Sequence, residues 1–260
     1  MRLRTAWGNP WRFESSREHI YSGILVKIVT STLAQKDPEF VRATFSSISK
    51  RYDFANHLLS AGMDYFWRAQ VSRKVKLLRP QRILDLATGS GDLALDLKKA
   101  CPAAEITAAD FCFPMLLEAR KKKIPNLVQA DALALPFADA SFDVVTVAFG
   151  LRNMASWPDA LKEIGRVLAP GGSLLILDFS LPTQAWILKF YRFYLHRVLP
   201  SIAGWATRQP KAYEYLGVSI EEFPSGLVMN ALLRSCGYIC EPPQPLSLGI
   251  VSIYYGKTPQ

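Results

Sequence analysis

Arg82-Ile-Leu-Asp-Leu-Ala-Thr-Gly-Ser-Gly-Asp92 is the stretch that decides how this chain folds. Its first half, with Ile83, Leu84, Leu86 and Ala87, is an apolar run of the length of a buried parallel strand. Gly89 and Gly91 follow, one residue apart, and Leu93-Ala-Leu-Asp-Leu-Lys98 has the character of a helix that starts at Asp92. Strand, glycine turn and helix in that order let the backbone approach a ligand closely, because glycine carries no Cβ. Asp110 comes 19 residues after Gly91, behind the apolar run Ile106-Thr-Ala-Ala109. A carboxylate at that place can accept hydrogen bonds from both hydroxyls of a ribose. The unit therefore has the form of a nucleoside-binding half of a doubly wound α/β domain.

This stretch alone leaves the cofactor open. Gly89-Ser-Gly-Asp-Leu-Ala94 fits the dinucleotide fingerprint G-x-G-x-x-A. Asp85-Leu-Ala-Thr-Gly-Ser-Gly91 fits equally well the glycine loop of class I S-adenosylmethionine methyltransferases, which carry an acid on the first strand. The downstream pattern separates the two. Leu127-Val-Gln-Ala130 is a third strand followed by Asp131-Ala132, where an acid and a backbone amide can meet an adenine ring. Ser141-Phe-Asp-Val-Val-Thr-Val-Ala148 is a fourth strand, and Leu161 to Leu168 a helix. Pro170-Gly-Gly172 is a tight turn before a fifth strand, Ser173 to Asp178. An acid after the third strand, F-D-V-V in the fourth and L-x-P-G-G before the fifth together resemble the methyltransferases, not the dehydrogenases.

The 260 residues, half of them hydrophobic, suffice for one large α/β domain with additions. A net charge of +9 points to an anionic partner, nucleic acid or a membrane surface. Cys101, Cys112, Cys236 and Cys240 form no C-x-x-C, and His19, His57 and His196 are scattered, so no metal site is expected and free thiols are the default. No apolar run reaches the length of a membrane span, and the N-terminus lacks the apolar core of a secretory signal.

Outside the core, Phe40, Val41, Phe45, Ile48 and Tyr52 recur at helical spacing, and Leu58, Leu59, Met63, Phe66 and Trp67 form a second stripe. Arg120-Lys-Lys-Lys123 is expected to be a solvated helix end. Residues 179–213 contain no Asp or Glu but are rich in aromatics and bases. On a helix over Trp186–Leu199, Lys189, Arg192 and His196 share one face, while Ile187, Phe190, Tyr194 and Val198 lie elsewhere. This segment suits a cap over the active site, an interfacial helix on anionic lipid, or a buried helix with a basic solvent face. Leu227–Cys236 is helical with Gly237 as its cap, and the strands Tyr238–Cys240 and Gly249–Tyr255 are expected to close the sheet as an antiparallel pair.

Four motifs narrow the resemblance to one family. They are Phe149-Gly-Leu-Arg-Asn153; Tyr52-Asp-x-x-Asn56 continuing to Leu59-Ser-x-Gly62 and Trp67-Arg68; Leu133-x-Leu-Pro-Phe137; and Tyr213-x-Tyr-Leu216 with Ser219-Ile220 and Phe223-Pro224. With these, residues 40–258 resemble the quinone-biosynthesis C-methyltransferases that act on demethylmenaquinol and on the related polyprenyl benzoquinol.

The resemblance implies a Rossmann-like class I methyltransferase with a seven-stranded, mostly parallel sheet and helices on both faces. An N-terminal helical cap would span residues 37–80, the cofactor core 81–178, a substrate-cap insert 179–225, and a closing helix and strand pair 226–260, with 1–36 as an extension. It implies S-adenosylmethionine as cofactor, with Asp85, Gly89, Ser90 and Gly91 in its loop, Asp110 on the ribose, Asp131 and Ala132 at the adenine, and a backbone contact at Ala148. It implies Arg152, Asn153 and Tyr52 as the catalytic set, holding the quinol and stabilising the phenolate that develops. Ala55 and Asp64 depart from the family pattern, which usually has Met and often His there. The expected partners are a polyprenyl hydroquinol and the cytoplasmic face of a membrane, visited peripherally by a soluble protein. A homodimer is left open and no nucleic acid partner is expected. An RNA or DNA methyltransferase and a non-catalytic scaffold subunit are the rival readings. Phe149-Gly-Leu-Arg-Asn153 in place of [DN]-P-P-[YF] disfavours the first, and an intact set of site residues the second.

Overall fold

The structure, a computed structural model, describes residues 39, 57, 60–199 and 210–260. Helix α1 (Met63–Leu78) leads into β1 (Arg82–Leu86), α2 (Asp92–Ala100), β2 (Glu105–Asp110), α3 (Phe113–Lys121) and β3 (Asn126–Gln129). The chain then forms β4 (Phe142–Ala148), a 3-10 turn (Leu151–Asn153), α4 (Trp157–Val167) and β5 (Leu168–Phe179). Beyond it are α5 (Ala185–Phe193), which runs on as a π turn (Tyr194–Val198), α6 (Pro210–Glu222), α7 (Leu227–Ser235) and the short strands β6 (Ile239–Cys240) and β7 (Gln244–Leu246) before β8 (Val251–Lys257).

The strands lie in the order β3-β2-β1-β4-β5-β8-β6, with β7 also beside β8. β1 to β5 are parallel and β8 runs antiparallel to β5. The chain winds outward from β1 to β3, then returns to place β4 and β5 on the other side. The switch point between β1 and β4 opens a crevice at their carboxyl ends, which is where ligands bind in such sheets.

Alternation along the strands builds a core on each face. Leu84, Leu86, Val145, Val147, Leu174 and Ile176 point to one side, where α4 and α7 cover them with Trp157, Leu161, Ile164, Met229 and Leu233. Ile83, Val144, Leu175 and Leu177 point to the other, under Trp67, Val71 and Val75 of α1 and Leu93 and Leu97 of α2. A buried central strand has to be apolar on both faces, which is why these strands read as unbroken hydrophobic runs.

Several expectations shift. The sheet has eight strands, not seven, because the edge partner of β8 is interrupted. β6 pairs with Gly256 and Lys257 and β7 with Val251 to Ile253, with Pro242 and Pro243 between them. Proline has no N–H to give to a ladder, so the edge strand breaks there. β5 begins at Leu168, not Ser173, and the Ala169-Pro-Gly-Gly172 turn is a bulge that carries the register against β4 from Leu168 to Ser173.

In α1 the buried face is Trp67, Val71 and Val75, while Met63 and Phe66 of the expected stripe are exposed. The rest of the two expected N-terminal helices lies outside the described residues, apart from Glu39 and His57. In α5 and its π turn the buried positions are Ile187, Tyr191, Leu195 and Leu199, spaced by four, and Phe190 faces outward. The partners decide that face: Ile220 of α6 and Phe179 at the end of β5 pack on the same small cluster.

Candidate active site

A cavity of roughly 870 Å3, counting its open mouth, occupies the crevice at the switch point. Its walls come from the loop after β1, the ends of β2 and β3, and the turn after β4. Two close approaches shape it. Gly91 has φ +84, and a Cβ there would stand 2.2 Å from Ile124 Cδ1, so the loop lies flat on α3. A Cβ on Gly150 would stand 2.4 Å from the Ala87 Cβ, so the turns after β1 and β4 touch through a glycine. Ala87 and Phe149, neighbours of those contacts, hold φ values of 54 and 55. Non-glycine residues in the left-handed region are strained, and such strain gathers at ligand sites.

Asp110 sits at the end of β2, buried at the cavity wall. Its Oδ2 accepts the Gly89 N–H at 2.8 Å and its Oδ1 the Cys112 N–H at 2.8 Å. Burial raises its pKa, and the two N–H bonds work against that rise. Each carboxylate oxygen can take a second donor, so the side chain keeps capacity for two ligand hydroxyls. Asp131 is exposed and lines the cavity, its Oδ1 accepting the Leu133 N–H at 2.9 Å in an Asx turn. Ala132 and Ala148 also line the cavity.

Asp85 does not line it. It is buried in β1, with Oδ2 accepting from Thr88 Oγ1 at 2.6 Å and Oδ1 from Thr146 Oγ1 at 2.8 Å. Burial pushes its pKa up to about 6, the two threonine bonds oppose the rise, and the charge of Asp110 adds to it. Asp85 thus clamps the start of the glycine loop to β4.

The turn after β4 carries the polar end of the site. Arg152 is buried, its Nη1 donating to Asp178 Oδ1 at 2.8 Å and to the Phe149 carbonyl at 2.5 Å. Asp178, at the end of β5, is wholly buried and also accepts the Phe179 N–H at 2.9 Å. The Arg152 guanidinium carbon stands 5.1 Å from the centroid of the Phe179 ring. Asn153 lines the cavity beside this pair. Its Nδ2 donates to the Phe149 carbonyl at 3.4 Å, and its Oδ1 accepts from Tyr215 Oη of α6 at 3.2 Å.

Behind the glycine loop lies a network of charges. Asp92, first in α2, is held by Lys122 at the end of α3, and Arg68 Nη1 and His57 Nε2 stand 3.6 and 3.9 Å away. His57 Nδ1 meets Asp64 Oδ2 at 2.7 Å, and Arg68 meets the same oxygen at 2.5 Å. Burial would raise the pKa of Asp64, and Ser60, Arg68 and His57 together hold it below the ordinary value. The ligand atoms of His57, Asp64 and Asp92 lie within 4.8 Å of one another, but Arg68 and Lys122 already compensate both carboxylates.

Against this geometry, the model of the ubiE/COQ5 methyltransferase family matches residues 32–258. The chain belongs to this family. The demethylmenaquinone methyltransferase of Thermus thermophilus is 44% identical over 220 residues, covering 83% of this chain and 100% of that protein. That of Mycobacterium tuberculosis is 39% identical, covering 86% and 94%. The ubiquinone/menaquinone biosynthesis C-methyltransferase of Geotalea daltonii is 40% identical, covering 84% and 96%. Among solved structures, a SAM-dependent methyltransferase of Thermotoga maritima superposes with a TM-score of 0.60 at 18% identity, over 84% of this chain and 99% of that one. A SAM-dependent methyltransferase of Aquifex aeolicus does so at 0.51 and 18%, over 68% and 81%. At such identity the structures speak for the fold, which is that of the class I methyltransferases. Family and fold together make the chain an S-adenosylmethionine-dependent methyltransferase.

In this ubiE/COQ5 methyltransferase, Gly89, Asp110, Asp131, Ala132, Ala148 and Asn153 of the expected site residues line one cavity. Asp85, Ser90, Gly91 and Arg152 stand one layer back. Ser90 Oγ accepts from Lys122 Nζ at 3.2 Å. Tyr52 lies outside the described residues, and the ion-pair partner of Arg152 is Asp178. Asp64, a departure from the family pattern, belongs to the network behind the glycine loop and not to the cavity wall. Lys122 is no free end of a solvated run, since it ties α3 to Asp92.

Sequence reasoning gave no site role to Asp178, Tyr191 or Tyr215. Asp178 had a signal, an acid ending an otherwise apolar strand at the carboxyl edge of the sheet. Tyr215 stood in the motif Tyr213-x-Tyr-Leu216, and Tyr191 had no signal beyond the aromatic density of the insert.

Proposed function

We propose that this chain transfers a methyl group from S-adenosylmethionine to a ring carbon of a demethylated polyprenyl hydroquinol, in the manner its curated relatives are named for. One observation carries the reading: Asn153, with Arg152 behind it, opens on the same cavity as Asp110 and Asp131. We propose further that residues 37–260 act as one methyltransferase unit, with 179–225 as its substrate cap.

The cavity suits the cofactor. It is mostly apolar, Gly150 lets the turns after β1 and β4 meet at its wall, and the free acceptor capacity of Asp110 matches a ribose diol. Asp110 would hold the ribose, Asp131 and the Ala132 amide the adenine, and the backbone at Gly89 and Ala148 the remainder. Ser90 and Gly91 would support the loop, and Asp85 would fix its start through Thr88. When bound, the cofactor supplies an electrophilic methyl group, which forms a bond to the ring carbon as its own bond to sulfur breaks.

The residues of the chain then have three tasks. The apolar walls exclude water. Asn153 orients a hydroquinol hydroxyl, and Tyr52 is proposed to complete that contact. Arg152 is always charged and is a poor base. Paired with Asp178, it fixes the turn and lends its field to the oxygen on which negative charge grows. Loss of the hydroxyl proton makes the adjacent ring carbon nucleophilic, and positioning supplies most of the acceleration.

A long-tailed substrate calls for a protein that meets a membrane. No helix of the described residues is long and apolar enough to cross one. α5 instead turns Trp186, Phe190 and Phe193 outward, with exposures of 64%, 70% and 61%, between exposed Lys189 and Arg197. Arg192 and His196, also on the basic side, are partly spent on Glu221. Aromatic rings among bases suit an interface with anionic lipid.

The test is a turnover assay with labelled S-adenosylmethionine. Short-tailed demethylmenaquinol and a demethylated benzoquinol are offered, each reduced and oxidised, in anionic and in zwitterionic vesicles. Label is expected in a reduced acceptor only, and faster in anionic vesicles at low salt. No label in any acceptor while the cofactor still binds would overturn the substrate class. Equal rates in both vesicles would remove the lipid contact.

A further inference from the structure

The cap insert contributes one group that nothing above uses. Tyr191, in the last turns of α5, is 6% exposed, and its hydroxyl has no hydrogen-bond partner among the described residues. It packs in the cluster that includes Phe179, the ring over which the Arg152 guanidinium lies. Burial raises its pKa, the charge of Arg152 opposes that rise, and Tyr194 and Asp178 add to it. The Tyr191 phenol therefore remains protonated at neutral pH, a donor with no acceptor among the described residues.

An unmade hydrogen bond of this kind is expensive, about 1–3 kcal/mol for a buried polar group. Ser72 Oγ and Asn230 Oδ1 also have no partner among the described residues, but they belong to α1 and α7. Tyr191 is the one that packs with Phe179, over whose ring the Arg152 guanidinium lies, one layer behind the residues that line the cavity. Asn153 of the Leu151–Asn153 turn faces the cavity, and both α6 and β5 pack on that turn, α6 through the bond from Tyr215 to Asn153.

We propose that the Tyr191 hydroxyl donates a hydrogen bond to a ring oxygen of the acceptor, and that the ring lies under the cap between Asn153 and Tyr191. This rests on the hydroquinol reading given above. The bond should strengthen as the reaction proceeds. A neutral hydroxyl is a modest acceptor, whereas an oxygen gathering negative charge makes a charge-assisted bond roughly twice as strong. An interaction that grows toward the transition state lowers the barrier instead of merely tightening binding. The phenol moves no proton in this step. It stays protonated, and the acceptor's hydroxyl proton passes to water.

Tyr191→Phe is the test, since it keeps the ring and its packing and deletes one oxygen. Three measurements are made on the whole chain: thermal stability, affinity for 1,4-naphthalenediol in the presence of the cofactor product S-adenosylhomocysteine, and kcat with KM for the hydroquinol. The expected result is an unchanged or higher melting temperature, because an unsatisfied group has been removed. Affinity for S-adenosylhomocysteine should not change, affinity for the diol should fall about threefold to tenfold, and kcat should fall about tenfold or more, beyond the change in KM.

If the variant melts lower and yet binds and turns over the diol and hydroquinol like wild type, the hydroxyl is bonded inside the fold, and the proposal is wrong. If all three readouts match wild type, the proposal is likewise wrong, while the substrate reading survives. If wild type itself neither binds the diol nor labels a hydroquinol, the substrate reading fails and takes this inference with it.

Discussion

The two halves of the cavity are held in different ways. On the cofactor side, several polar contacts close over short stretches of chain, beside two longer ones from Gly89 to Asp110 and from Thr146 to Asp85. Thr88 reaches back three residues to Asp85, Asp131 accepts from Leu133 two residues on, and Asp110 accepts from Cys112. On the substrate side they span the molecule. Arg152 meets Asp178, 26 residues away, Asn153 meets Tyr215, 62 residues away, and Tyr191 meets no partner among the described residues. The first half is built on the glycine loop and the strand ends beside it, and its carboxylates have partners within the fold. The second depends on packing between distant segments, and beside it lies the hydroxyl proposed to bond the acceptor.

The largest expected effect tests whether the Arg152–Asp178 pair really holds the substrate half. Removing one member of a buried pair leaves an uncompensated charge and costs about 3–5 kcal/mol. Arg152→Met should lose that much in chemical denaturation, because Asp178 is wholly buried. Adding Asp178→Leu should recover most of the stability, since a buried ion pair and an apolar pair of similar volume are often equivalent. Turnover should stay low in both variants. A single Arg152→Met chain of wild-type stability would mean that the turn is held by something else.

Next in size is a pH effect on the cofactor side. Asp85 titrates at about 6 in the fold, against an ordinary value of 3.8. Below both values it is protonated folded and unfolded, and contributes nothing to the pH dependence. As pH rises from about 4 to about 6, the unfolded chain ionises first, so the folded state loses relative stability, and above about pH 6 the loss is complete. The gap corresponds to roughly 3 kcal/mol at most. Asp85→Asn cannot ionise, so the stability of wild type minus that of the variant should fall across this window. A difference flat with pH would show that Asp85 is not strained by burial, and the contrast between a satisfied half and a waiting half would sharpen.

The same contrast explains what could be seen in the sequence. β1, the glycine loop and Asp110 were legible because their geometry is written in consecutive residues: an apolar run, glycines where a Cβ would collide, and an acid at the next strand end. The parallel order of the sheet followed from the same unit. Asp131, Ala132 and Asn153 were found through motifs at strand ends. Arg152 was found as a residue, but its partner was not, because Asp178 is joined to it only by the pairing of β4 with β5.

The interior face of α5 was misplaced for a like reason. Sequence spacing allowed several faces, and the choice fell to Ile220 and Phe179, both distant in the chain. Lys122 was hidden among three like neighbours, Arg120, Lys121 and Lys123, of which only the fold selects one to face Asp92. The broken edge strand was legible in principle, since Pro242-Pro243 stands in plain view.

The smallest effect concerns the side-chain bond between cap and turn. Tyr215 Oη donates to Asn153 Oδ1 at 3.2 Å, a long bond between neutral groups. Burial raises the pKa of Tyr215, and the charge of Arg152 opposes that rise, so the phenol remains a donor through neutral pH. Tyr215→Phe removes that donor and keeps the ring. A net bond of this kind contributes about 1 kcal/mol, so stability should fall by no more than that. Function should change more selectively. Without Tyr215 the Asn153 amide is free to turn, and a hydroquinol hydroxyl would meet either its oxygen or its nitrogen. KM should then rise a few-fold while affinity for S-adenosylhomocysteine stays fixed, because the cofactor half is closed by its own local contacts. A variant that lost cofactor affinity in parallel would show that the two halves are coupled through the turn, and that the division drawn between them is too sharp.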